Sequence, residues 1–105
     1  MKIRLLDVAQ QELDETIEYF YEEVPDLGKE FLAEVLKALD RIGRHPHAWH
    51  PCSERTRRWL LRRFPYAVIY QILEKEILVV AVACLQREPN YWQARISSKT
   101  HYPDR

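Results

Sequence analysis

The sequence predicts an α+β domain in which a helical hairpin packs on one face of a small, mostly antiparallel sheet, with elements in the order β-α-α-β-β-β. Three observations lead there. Apolar residues recur at helical spacing over residues 8–42, strand-like runs replace them from residue 57 onward, and prolines fall where one pattern gives way to the other. Helices segregated from hairpin-joined strands along a chain cover one face of the resulting sheet.

Residues 2–6 mix Ile3, Leu5 and Leu6 with two bases and read as a short opening strand. Asp7 is expected to cap a first helix, whose apolar positions are Ala9, Leu13, Ile17, Phe20, Tyr21 and Val24, with Glu12, Asp14, Glu15, Glu18, Glu22 and Glu23 on its other sides. This helix should end before Pro25. Asp26 is the expected cap of a second helix carrying Phe31, Leu32, Val35, Leu36, Leu39 and Ile42, which should stop near Gly43 and before Pro46. Pro46 and Pro51 leave residues 45–52 as an irregular connector. Three strands are expected after it, at 57–63, 66–73 and 77–84, the last two joined by Glu74, Lys75 and Glu76. Residues 77–84 are apolar on both alternating faces and call for a central strand with both faces covered. Tyr91, Trp92 and the C-terminal segment are the local candidates for the second cover, a partner protein the other.

A chain of 105 residues suits one core. We expect a single domain at 1–96 and a C-terminal tail at 97–105. The apolar stretch at 77–84, eight residues, falls well short of the ~20 needed for a membrane-spanning helix. The N-terminus shows no long apolar stretch of a signal peptide. Two cysteines, Cys52 and Cys84, give no disulfide framework, so the expected home is the cytoplasm with both as thiols.

A formal net charge of zero conceals strong segregation along the chain. Residues 1–43 hold five Lys/Arg against eleven Asp/Glu, a net of −6, whereas residues 44–63 hold six arginines against Glu54, a net of +5. If these blocks stay apart in space, one end of the molecule attracts anionic partners and the other repels them. The candidate binding residues are Arg57, Arg58, Arg62 and Arg63, since guanidinium groups offer forked donors to anionic oxygens. The competing account makes them ion-pair partners of the acidic helices, or guards of an edge strand against aggregation. Trp59, Tyr66 and Tyr91 offer rings for base stacking, or equally for a core.

His45, His47, His50 and Cys52 include enough donors for a metal, but their spacing matches no standard zinc pattern, and we assign no metal. Neither a phosphate-cradling glycine loop nor a nucleophile elbow is present, and no cofactor is expected. Most carboxylates of the first helix should face solvent.

The run Arg58-x-x-x-Arg62-Arg63-Phe64-Pro65-Tyr66-x-Val68-Ile69-Tyr70, the apolar strand after it and Arg87-x-Pro89-x-Tyr91-Trp92 together resemble the RelE/ParE superfamily of toxins from type II toxin–antitoxin systems. The resemblance spans residues 1 to about 96, is strongest from Arg57 to Trp92, and lies closer to the ParE-like plasmid stabilisation proteins. It implies a growth inhibitor neutralised by a cognate antitoxin, as a homodimer or a toxin–antitoxin heterotetramer, acting on one of two targets. ParE-like members inhibit DNA gyrase; for them the cationic edge is a docking surface. RelE-like members are ribosome-dependent mRNA endonucleases; for them Arg58, Arg62 and Arg63 would bind phosphate, with Arg62, Arg87 and Tyr91 as the catalytic set, Arg87 meeting transition-state charge and Tyr91 supplying a proton. Cys84 stands where many relatives carry a histidine. The acidic hairpin and modest basicity favour the ParE side, and an inactive relative kept as a protein-binding module is the third reading.

Overall fold

A computed structural model describes residues 1–97, so residues 98–105 of the expected tail lie outside the described residues. The elements are β1 (Lys2–Leu5), α1 (Asp7–Glu23), α2 (Pro25–Arg44), β2 (His50–Pro51), β3 (Arg57–Leu60), β4 (Tyr66–Ile72), β5 (Glu76–Cys84) and a short 3-10 turn at Gln93–Arg95. The strands form one sheet in the order β1-β5-β4-β3-β2, antiparallel except where β1 runs parallel to β5. The expected α+β architecture is therefore present, with one strand more than anticipated.

That extra strand, β2, lies in the connector read as irregular. Cys52 N–H bonds to Thr56 O at 3.0 Å, and His50 pairs with Arg58, so in the alternating antiparallel pattern the intervening Pro51 turns its nitrogen away from β3. A proline is tolerated at such an edge position because no ladder bond is lost. The connector before it is fastened through its carbonyls: Tyr70 OH donates to Pro46 O at 2.6 Å, and Arg57 Nη1 donates to Trp49 O at 2.7 Å and His47 O at 3.3 Å.

Both helix caps differ from expectation. Leu6 is the N-cap of α1 and Asp7 its first residue; Val24 is the N-cap of α2, Pro25 opens the helix, and Asp26 sits in the first turn, without a side-chain cap bond at either start. Pro25 favours this because its fixed φ suits the first helical position and its missing N–H has no partner there in any case. Val24 alone joins the helices, donating to Phe20 O at 3.0 Å while its own carbonyl accepts from Leu27 N–H at 2.9 Å.

The strand expected at 57–63, β3, stops at Leu60, three residues early. Leu61 and Phe64 both turn into the core, each 7% exposed, and Leu61 N–H closes the turn on Tyr66 O at 2.9 Å. Arg62 and Arg63 consequently leave the sheet.

The helices cover one sheet face, burying Phe31, Val35, Val68, Tyr70, Ile77, Val79 and Val82, with Phe20, Phe31, Phe64 and Tyr66 packed ring against ring at 5.0–5.9 Å. The second face buries Ala67, Ile69, Leu78, Val80, Ala81 and Ala83 beneath Trp92, with Tyr91 and Ile96 beside it. An irregularity opposite Ile69 and Tyr70 leaves Val80 as the additional residue of β5, so that Val80 and Ala81 both reach this second face. β5 is thus covered on both sides by its own chain, as its composition requires. The partner protein considered as the alternative cover is therefore not needed for β5, because the local cover already removes its second face from water. Among the described residues no helix is long and apolar enough to cross a membrane.

Candidate functional site

Side chains alternate across β3, so Arg57 and Trp59 point to the helix face while Arg58 and Leu60 point to the second face. Arg57 is occupied with the connector, and Trp59 meets Trp49 edge-on with ring centroids 4.2 Å apart. The Arg58 side chain is exposed and, among the described residues, makes no hydrogen bond or ion pair. It borders a cavity of about 240 Å³ on the second face, floored by Ala67, Ile69 and Ala83, with Tyr91 and Trp92 on one wall and Arg87 at the rim. Leu85, 51% exposed, adds an apolar lip; Leu60, 47% exposed, stands on the same sheet face opposite Ala67. The result is a recess with an apolar floor, lined at its edge by two guanidinium groups and by Glu88.

Arg62 and Arg63 belong elsewhere. With Glu30, Ala33, Glu34 and Lys37 they line a separate groove beside α2, where Arg63 Nη2 pairs with Glu30 Oε2 at 2.9 Å and Arg62 N–H donates to the Glu34 carboxylate. The four arginines thus divide among three places, and the proposed catalytic set divides as well: Arg87 and Tyr91 share the cavity wall and rim, whereas Arg62 does not reach it.

A carboxylate absent from the sequence-based candidates organises this wall. Glu12 on α1 has a side chain only 13% exposed; its Oε1 accepts from Val82 N–H at 3.1 Å and from Arg95 Nη1 at 2.9 Å, and its Oε2 accepts from Tyr91 OH at 2.6 Å and Arg95 Nη2 at 3.2 Å. Arg87 Nη1 lies 3.7 Å from the same oxygen, and its guanidinium carbon stands 3.6 Å above the centre of the Tyr91 ring. Burial, with the Glu12 hydrogen bond second, pushes the Tyr91 phenol well above its ordinary value, so it stays protonated and donates to the carboxylate. The signal for Glu12 was in the sequence: positions 9, 12, 13, 16, 17 and 20 follow one helical stripe, and Glu12 and Thr16 lie on it between apolar residues. Arg95 carried no comparable signal, since its role depends on where the chain returns.

The described residues bring no three His, Cys, Asp or Glu side chains together around a possible metal. His45 serves as the C-cap of α2 through its backbone, and Cys52 Sγ lies 3.1 Å from Thr56 Oγ1.

Comparison with known proteins agrees with this architecture. A solved chain titled "Chromosomal ParDE TA system from P. aeruginosa" superposes with a TM-score of 0.71 over 82% of this chain and 97% of that one, at 14% identity, a likeness of fold. Toxin ParE2 of Mycobacterium tuberculosis, from strain CDC 1551 / Oshkosh and from strain ATCC 25618 / H37Rv, is 30% identical over 100 residues, covering 94% of this chain and 95% of that protein. The family described as ParE toxin of type II toxin-antitoxin system, parDE, matches residues 3–89. With that match over most of its length, the chain belongs to the ParE toxin family of type II toxin–antitoxin systems.

Proposed function

We propose that this ParE-like toxin arrests growth by docking on DNA gyrase in the cytoplasm, and that its antitoxin prevents this by occupying the cavity rimmed by Arg58 and Arg87. The observation that carries the reading is the separation of the nuclease set: Arg62 lies in the groove beside α2, away from the cavity shared by Arg87 and Tyr91. Concerted phosphoryl chemistry needs its acid, base and charge-stabilising groups around one reacting phosphate. Tyr91 also has its proton donated to Glu12, with its phenol pushed up, which makes it a poor acid near neutral pH. A docking surface makes no such demand. It needs an apolar recess and charges at its rim, which the floor of Ala67, Ile69 and Ala83 and the two guanidinium groups supply. A family antitoxin suited to this surface would present acidic side chains beside an apolar anchor.

The test is paired. Purified toxin is added to gyrase in a supercoiling assay and to translating ribosomes with a defined mRNA. Loss of supercoiling with intact mRNA is expected; cut mRNA with normal supercoiling would overturn the proposal. Growth unaffected by induced expression would favour the inactive binding module. Arg58→Ala and Arg87→Ala should each weaken antitoxin and gyrase binding about tenfold, the scale of a charged rim contact, read by titration calorimetry and by inhibition curves.

A further inference from the structure

We propose that Glu12 is a positioning residue for Arg87: through Tyr91 it holds the guanidinium ready at the cavity rim before any partner arrives. This rests on the reading of that cavity as the docking site.

The bond to Val82 has a structural cause. β1 pairs with β5 only as far as Val79, so beyond it the outer edge of β5 has no neighbouring strand. Glu12 accepts from Val82 N–H there, and Arg95 Nη1 donates to Val80 O at 3.0 Å. Those bonds would suffice to satisfy the edge and to pair a largely buried carboxylate. Tyr91 is additional. Its hydroxyl, donating to Glu12 Oε2, fixes the ring in the plane on which Arg87 lies, and the same carboxylate attracts Arg87 directly. The Arg87 side chain is 55% exposed, and an exposed arginine ordinarily samples many rotamers that a partner must freeze on binding. Restraint from below removes part of that entropic cost in advance.

Freezing one such side chain corresponds to about three- to tenfold in affinity, which is the expected loss on Glu12→Gln. The variant keeps an acceptor for Val82 but loses the charge. Tyr91→Phe provides an independent variant that keeps the ring, and Glu12 with its Val82 and Arg95 partners, while removing the hydroxyl; it serves if Glu12→Gln does not fold. Two measurements on the full-length chain decide the matter. First, NMR relaxation of the Arg87 side-chain Nε–H in the free protein should report an ordered group that falls below an order parameter of about 0.6 in either variant. An Arg87 equally ordered in wild type and variants overturns the proposal. Second, in gyrase-inhibition curves the Glu12→Gln/Arg87→Ala double variant should be no weaker than Arg87→Ala within about twofold, because the effect of Glu12 passes through Arg87. Fully additive losses overturn it. Should Arg87 loosen as expected while Arg87→Ala inhibits gyrase normally, the positioning stands and the docking reading of the cavity falls.

Discussion

Adjacent residues Arg57 and Arg58 face opposite sides of β3, and the alternation gives them different work. Arg57 donates to two connector carbonyls, so Arg57→Ala should lower stability by about 1–2 kcal/mol in urea unfolding, the scale of hydrogen bonds from a charged donor, while its direct effect on partner binding stays small. Arg58→Ala should do the reverse, leaving the unfolding midpoint unchanged and weakening binding. Alternation along a strand already sets these two on opposite faces, and the register of β3 against β4 decides which face each takes. Glu12 shows the opposite situation: its place on the buried stripe of α1 was legible by counting, but its chemical role required Arg95, 83 residues away in the chain.

The elements were read more securely than their ends. Long amphipathic helices and apolar strands announce themselves through summed periodicity, whereas a cap or a strand end depends on one or two residues and on what packs nearby. β3 ended early because Leu61 and Phe64 had to enter the core together, a demand that alternation alone does not reveal. Gly28 carries a related constraint in the hairpin. A Cβ there would lie 2.8 Å from Tyr21 Cβ and 3.0 Å from Ile17 O, so α1 and α2 approach too closely for any side chain. Gly28→Ala should therefore destabilise the protein by about 1–3 kcal/mol despite the better helix propensity of alanine, and a thermal melt would show it. An unchanged or raised melting temperature would mean that the helices separate freely.

Across the whole molecule, segregated charge along the chain becomes partly compensated charge in space. Arg63 pairs with Glu30 and Arg95 with Glu12, which leaves Arg58 and the half-exposed Arg87 as the cations facing the cavity. Stability should also respond to alkali. Burial raises the phenols of Tyr70 and Tyr91 above their ordinary value of 10.0 in the folded chain. A group whose pKa is raised on folding contributes fully below its unfolded value, so this contribution is intact below pH 10 and is lost as pH climbs past it toward the folded values. Urea midpoints should therefore fall above pH 10, and less steeply in Tyr91→Phe. The α+β class, the helical hairpin, the doubly covered β5 and the family resemblance were all legible before folding, because these rest on periodicity and on local runs of residues. Folding in three dimensions settles which arginines share a surface, that Trp92 and its neighbours complete the core, and that a helix carboxylate organises the cavity wall. Those outcomes depend on strand register and on the path of the returning chain, which bring together residues that no local pattern connects.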